Sequence, residues 1–178
     1  MRIKIGFIGP QGSGKTTKAY VLGVLLKKQG YDVYILSEVA RSCPLPINED
    51  TTRESQLWIM GKQLTREQSA KGQVLITDRT ILDSFAYSMS TDPKFFSTLK
   101  PFIKEYMNTY DLVFYLKAND KYLIDDGIRS VDKGYRNKID DIMKELITEL
   151  DIDVKKDVDL QSTVLNYMEA HKDGNSRF

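Results

Sequence analysis

The chain has 178 residues, 41% hydrophobic and 29% charged, with 26 basic and 25 acidic residues for a net charge of +1. That size suits one α/β domain with a proper core, and the near-neutral balance gives no bulk electrostatic case for nucleic acid or an anionic membrane. Cys43 and His171 are the only residues of their kinds, which excludes a disulfide framework, a thiolate metal cluster, a His-based zinc site and a Ser-His triad.

Arg2 to Ile8 reads as a first strand, with the apolar run Ile3, Ile5, Phe7 and Ile8. Directly after it, Gly9-Pro10-Gln11-Gly12-Ser13-Gly14-Lys15-Thr16 fits G-x-x-x-x-G-K-[ST], the phosphate-binding P-loop. Glycines let the backbone bend around an anion and aim successive N–H groups at it, and the following helix adds its positive N-terminal end. Gly9, Gln11, Gly12, Ser13, Gly14, Lys15, Thr16 and Thr17 are therefore the expected binding residues for a nucleoside triphosphate. Lys15 is suited to the β- and γ-phosphates and Thr16 to Mg²⁺.

A helix is predicted from Lys15 to about Gln29, with Ala19, Leu22, Leu25 and Leu26 on one face and Gly30 as its stop. A second strand spans about Asp32 to Ser37, and a proline-containing loop follows it. Thr51-Thr52-Arg53-Glu54 fits a capping box, so a second helix should start near Thr52 and end before Gly72, with Leu57, Met60 and Leu64 as its core stripe. Strand 3 is Val74 to Thr77, followed after Asp78 by a helical stretch and then by another from about Pro93 to Asn108. Strand 4 is Asp111 to Leu116, and a short helix is expected near Asp120 to Asp125. Tyr135, Ile139, Ile142, Met143, Leu146 and Leu150 form a helical stripe, Ile152 and Val154 mark a short charged fifth strand at an edge, and Leu160 to His171 is the last helix. Alternating strands and helices imply a parallel sheet with crossover helices. The expected fold is thus a three-layer α/β P-loop NTPase domain with a five-stranded parallel sheet, order 2-3-1-4-5, and helices on both faces. Residues 1–178 would form one domain, with the nucleotide at the C-terminal ends of the strands. No apolar stretch approaches the ~20 residues that span a bilayer, and no signal-peptide pattern opens the chain, so a cytoplasmic protein is expected. Helices along a sheet edge would allow a homodimer.

Three further elements carry chemistry. Strand 3 ends in Asp78, which would set a carboxylate beside Thr16 as a second metal-holding group. The segment Asp78-Arg79-Thr80-Ile81-Leu82-Asp83-Ser84-Phe85-Ala86-Tyr87 is similar to the D-R-x-x-x-S-S-x-A-Y stretch of thymidylate kinases and resembles the (D/E)-R-S segment of deoxynucleoside kinases. Asp83 stands where the thymidylate kinase pattern has its first serine. This resemblance implies that Arg79 binds phosphate or positions the acceptor. The end of strand 2 reads Ser37-Glu38-Val39-Ala40-Arg41, resembling the strand-end glutamate of deoxynucleoside kinases and the E-x-A-R stretch of ribosylnicotinamide-kinase-like proteins. Glu38 is then the candidate base, since a hydroxyl nucleophile needs orientation and proton acceptance, and Arg41 a contact to acceptor or phosphate.

Asp125-Asp126-Gly127-Ile128-Arg129, followed by Tyr135-Arg136, is similar to the D-G-x-R-x-x-x-x-x-Y-R pattern of the same ribosylnicotinamide-kinase-like group. The likeness implies a lid over about 120–138 whose Arg129 and Arg136 close over the phosphates. On the second helix, Trp58 could stack on a base and Gln56 could hydrogen-bond an amide edge. Asn137-Lys138-Ile139-Asp140 matches the guanine-reading N-K-x-D motif, but Ile139 belongs to a helical stripe and the motif is rejected.

The leading expectation is an ATP- and Mg²⁺-dependent kinase acting on a small-molecule acceptor. Asp78 to Tyr87 favours a nucleoside monophosphate, whereas Glu38 favours a hydroxyl acceptor such as a nucleoside. The alternatives are a kinase for a nucleic-acid end or modified base, which the acidic residues around Arg136 argue against, and a non-catalytic ATP-binding module.

Overall fold

The computed structural model describes residues 2–119 and 132–171. Four parallel strands, β1 (Ile3–Ile8), β2 (Val33–Leu36), β3 (Val74–Asp78) and β4 (Leu112–Tyr115), form one sheet in the order β2-β3-β1-β4. The first crossover helix is α1 (Lys15–Lys28), and α2 (Arg53–Ser69) leads into β3. α3 (Ile81–Thr91), α4 (Pro93–Phe96) and α5 (Lys100–Met107) precede β4, and α6 (Lys133–Glu149) and α7 (Leu160–Ala170) follow it. No helix among the described residues is long and apolar enough to cross a membrane.

β1 has all six residues buried because helices cover both faces of the sheet. Its alternating side chains divide the core. Ile3, Ile5 and Phe7 pack with Ala19, Leu22 and Leu26 of α1 and with Val164 and Met168 of α7. Ile8 points the other way, into a cluster with Met60, Phe85, Ile103, Met143 and Leu146 from α2, α3, α5 and α6. The three layers match the expected architecture.

The expected fifth strand is reduced to one parallel bridge between Phe114 and Lys155. Lys155 N donates to Val113 O at 2.8 Å, and Tyr115 N donates to Lys155 O at 3.0 Å. Asp151 and Asp157 flank this segment, each at φ 53. Left-handed residues at both ends turn the chain off the sheet edge before more pairs form. The predicted helix over Pro93–Asn108 is also interrupted, with a 3₁₀ turn at Ser97–Leu99 between α4 and α5. Pro101 lacks an N–H and crowds the preceding turn, so one continuous helix cannot pass through it.

α2 corrects the sequence reading most. Its N-cap is Thr52, whose box partner is Ser55 and not Glu54. Its buried face is Ser55, Gln56, Ile59, Met60, Gln63 and Glu67, whereas Leu57 is 42% exposed. Of the expected stripe, Met60 is buried and Leu64 packs against the core; an apolar count caught only part of the face because much of what this helix buries is polar.

Candidate active site

The register brings the strand ends together. Phe7 pairs with Asp78, and Leu36 pairs with Thr77, so the P-loop after Ile8, Glu38 after β2 and Asp78 at the end of β3 share one edge of the sheet. Gly9 has φ 138, and a Cβ there would lie 2.2 Å from Leu116 O, a position only glycine can occupy. Gly14, at φ 79, is the N-cap from which α1 starts. Gly12 and Gly9 both hold left-handed φ values, and Gly12 O accepts from Asn119 N at 3.0 Å. Thr17 lies exposed on the first turn of α1.

Lys15 is buried and folds over its own loop. Its Nζ donates to Gly9 O at 2.7 Å, Pro10 O at 2.7 Å and Ser13 Oγ at 3.0 Å. Burial, helped by the nearby Arg79 charge, lowers its pKa to about 8. Thr16 Oγ1 donates to Asp78 Oδ2 at 2.6 Å. This hydroxyl–carboxylate pair is an all-oxygen donor set of the kind Mg²⁺ prefers, and it fits the metal that a P-loop uses.

Beside the P-loop opens a cavity, open to solvent on one side, with the mixed apolar and polar lining that small-molecule sites use. Gln11, Glu38, Arg41, Gln56, Gln63, Arg79, Ser84 and Tyr87 supply its polar lining, and Val39, Ile47 and Ile59 its apolar wall. Arg79 Nε donates to Glu38 Oε1 at 2.6 Å, and Arg41 Nε donates to Glu38 Oε2 at 3.2 Å. The Arg79 guanidinium lies 5.6 Å over the Tyr87 ring. Arg79 has φ 96, a strained conformation for a residue with a Cβ. Three buried polar atoms at this cavity have no hydrogen-bond partner: Gln11 Nε2, Gln56 Oε1 and Arg79 Nη1. Buried polar groups are nearly always paired, and these three belong to residues that line the same cavity.

Asp83 was read from the sequence only as a departure from the thymidylate kinase pattern. The structure gives it a position at the joint between α3 and the P-loop. Fully buried, it accepts from Thr80 N at 2.8 Å through Oδ2 and from Gly9 N at 3.3 Å through Oδ1. Desolvation raises its pKa, against the pull of Arg79 and Lys15.

Trp58 is not at the cavity. It packs against the cluster of Leu36, Val39, Ile59 and Leu75, which places it on the flank of α2 away from the Gln56 face. Arg136 is buried on the first turns of α6, and Arg129 lies outside the described residues. Asn137 to Asp140 sit within α6, as the rejection of N-K-x-D required. Tyr135, next to Arg136, ties α6 to the loop at the cavity mouth, its hydroxyl donating to Asn48 O at 2.7 Å. Gln63 carries no recognisable motif; its only signal in the sequence was its spacing of seven residues from Gln56.

A family model described as an AAA domain matches residues 4–161. No curated protein matches the sequence. Among solved structures, a deoxyadenosine kinase from M. mycoides with the products dCMP and a flexible dCDP bound is 19% identical and has a TM-score of 0.61, the match covering 97% of this chain and 100% of that one. A thymidylate kinase from Ehrlichia chaffeensis is 15% identical with a TM-score of 0.67, over 94% of this chain and 98% of its own. At these identities the likeness is one of fold. The chain belongs to the AAA domain family, and its three-layer architecture is that of the P-loop nucleoside and nucleotide kinases.

Proposed function

We propose that the protein is an ATP-dependent kinase that transfers a γ-phosphoryl group to a nucleoside or nucleoside monophosphate. The observation that carries this reading is the convergence of Glu38, Arg79 and the orphaned Gln11 and Gln56 atoms on one cavity beside the P-loop. The P-loop backbone and Lys15 would hold the donor phosphates. Thr16 and Asp78 would hold Mg²⁺, which when bound offsets the phosphate charge. The acceptor hydroxyl would lie at Glu38, so that its oxygen bonds to the γ-phosphorus as its proton passes to the carboxylate and ADP leaves with the bonding electrons. Glu38 over a P-loop edge favours a hydroxyl acceptor, and hence a nucleoside, over a monophosphate. Arg79, whose Nη1 makes no hydrogen bond and lies 3.8 Å from Asp83 Oδ1, would orient the acceptor or the transferring group. Arg41 lies at the same carboxylate and would act at the mouth, and Arg129 and Arg136 remain the proposed lid arginines.

The test is incubation with Mg-ATP and a panel of nucleosides, nucleoside monophosphates, nicotinamide riboside and 5′-hydroxyl oligonucleotides, following phosphorylated product. Transfer to a nucleoside or monophosphate is expected. Mg-ATP binding without transfer to any member overturns the proposal.

A further inference from the structure

A buried charged network ends at the acceptor cavity. Glu67, on α2 one turn beyond Gln63, has no exposed surface. Lys4 Nζ lies 2.6 Å from its Oε2. Tyr106 OH donates to Oε2 at 2.9 Å, and Tyr110 OH donates to Oε1 at 2.7 Å. Lys4 also sits 3.8 Å from the centre of the Tyr110 ring. Burial lowers the Lys4 pKa and raises those of both tyrosines, as expected for groups held away from water. A buried ion pair of this kind adds little net stability over an apolar replacement of the same volume. Stability alone therefore gives it little purpose, and one member of the network reaches the cavity.

That member is Gln63. Its Nε2 donates to Glu67 Oε1 at 2.6 Å and to Arg79 O at 3.3 Å. A carboxylate ion-paired to Lys4 and a backbone carbonyl can only accept, so both protons of the amide nitrogen are committed and the amide cannot turn over. What Gln63 offers the cavity it lines is therefore its carbonyl oxygen alone. Among the described residues that oxygen accepts no hydrogen bond. Gln56, seven residues earlier and so about 10.5 Å along the same helix face, has an unpartnered Oε1 as well. The α2 wall thus presents acceptors and asks its ligand for donors.

We propose that Gln63 is a specificity-determining residue that requires an N–H or O–H donor on the acceptor molecule, and that Glu67 is the positioning residue that fixes Gln63 in this orientation. This rests on the acceptor-site reading of the cavity given above. The donor belongs either to the base, as an exocyclic amine, or to the sugar, as a ring hydroxyl. A ligand presenting a lone pair to Gln63 would leave two acceptors facing each other in a dry site.

The experiment measures affinity for matched nucleosides in the presence of Mg-ADP. The pairs are cytidine with uridine, adenosine with inosine, and each ribonucleoside with its 2′- and 3′-deoxy forms. The wild type, Gln63→Leu and the double variant Lys4→Met/Glu67→Gln are compared. The double variant leaves no unpaired buried charge and allows Gln63 to turn over. The wild type should prefer the member bearing the exocyclic amine, or the one bearing the sugar hydroxyl, in one kind of pair by about tenfold. Amino-over-keto preference identifies the base as the source, and hydroxyl-over-deoxy preference identifies the sugar. In both variants this ratio should fall to about threefold or less. A purely structural role for Glu67 would instead lower the melting temperature and weaken all nucleosides together, with the ratio unchanged. An unchanged ratio in either variant, or no preference in the wild type, overturns the inference while leaving the kinase reading standing. If neither a nucleoside nor a nucleoside monophosphate binds although Mg-ATP does, the kinase reading falls and the inference with it.

Discussion

Asp83 Oδ1 accepts a hydrogen bond from Gly9 N at 3.3 Å, linking the first turn of α3 to the first residue of the P-loop. Its other oxygen, Oδ2, closes the capping box of the same helix through Thr80 N. Both carboxylate oxygens are thus acceptors for backbone N–H groups. Asparagine has one oxygen, so Asp83→Asn would set an NH₂ against one of those donors. We predict a loss of about 1–3 kcal/mol in stability, the usual cost of a buried unsatisfied group, together with weaker Mg-ATP binding because the loop start is no longer held. Denaturant unfolding and ATP titration measure the two. Full stability in the variant would show that the link carries no load.

Lys15 leads to a proton-uptake experiment. Its pKa is lowered from 10.5 to about 8 in the folded chain. Between those values the unfolded chain keeps a proton that the folded chain has shed. Stability from this group therefore rises with pH through that window, and the penalty of burying the charge is fully present below pH 8. Phosphate binding reverses the balance by favouring the charged amine. At pH 8 each ATP bound should draw in about half a proton, and close to none at pH 6.5. Calorimetry in buffers of different ionisation enthalpy reads this directly. Lys15→Ala should abolish the uptake; its persistence would assign it to another group.

Glu38→Gln tests the proposed base. Glutamine preserves size but cannot take the acceptor proton, and it gives up the ion pair to Arg79 at 2.6 Å. Turnover should fall by about 10²–10⁴-fold, the usual contribution of general base catalysis, with ATP affinity within a few-fold of wild type. Because Arg79 is nearly buried beside it and keeps only the longer 3.8 Å contact to Asp83, the variant should also lose about 1–3 kcal/mol of stability. Unchanged turnover would remove Glu38 from the chemistry.

The elements of this site differ in how far the sequence revealed them. The P-loop, the strand-end Asp78 and the Glu38 stretch were readable because local constraints fix them. Glycine is needed at particular φ values, and an apolar strand has to stop where its last residue meets ligand. The parallel sheet was readable from the alternation of elements. The fifth strand was not, since Ile152 and Val154 have the right residue types but left-handed Asp151 and Asp157 decide their path. The buried face of α2 was legible only in Met60 and Leu64, for a related reason. Gln56, Gln63 and Glu67 are buried where partners from β1, the residue after β3, α5 and the turn after it, and the loop before α2 meet them. Such non-local pairing leaves no periodic trace in the helix itself.

Thr16 and Asp78 are predicted to act as one unit toward Mg²⁺. Their side chains are 2.6 Å apart, so removing either also disturbs the other. Thr16→Ala should raise the Mg²⁺ concentration needed for half-maximal ATP binding by about tenfold, one ligand's worth of stabilisation near 1.4 kcal/mol. Asp78→Asn should do the same, and the double variant should cost less than the sum, as coupled neighbours do. Strict additivity in Mg²⁺ titrations would separate the two residues functionally.

Two glycines give opposite expectations from the same substitution. At Gly61, on the exposed side of α2, a Cβ would meet no atom within 4 Å. Gly61→Ala removes backbone freedom from the unfolded chain at no steric cost, and should stabilise the protein by about 0.5–1 kcal/mol. At Gly9 the same methyl would lie 2.2 Å from Leu116 O, on a backbone at φ 138. Neither the sheet edge nor the loop can yield there, because Leu116 N donates to Ile8 O at 2.9 Å and fixes the carbonyl's residue against β1. Gly9→Ala should therefore displace the P-loop from the strand, costing several kcal/mol and nearly all ATP affinity. Melting curves of both variants with and without Mg-ATP separate the cases. Gly61→Ala should melt higher and keep the full ATP-induced shift, whereas Gly9→Ala should melt lower and lose it. An ATP-induced shift retained in Gly9→Ala would mean that the loop can bind phosphate without its close approach to Leu116.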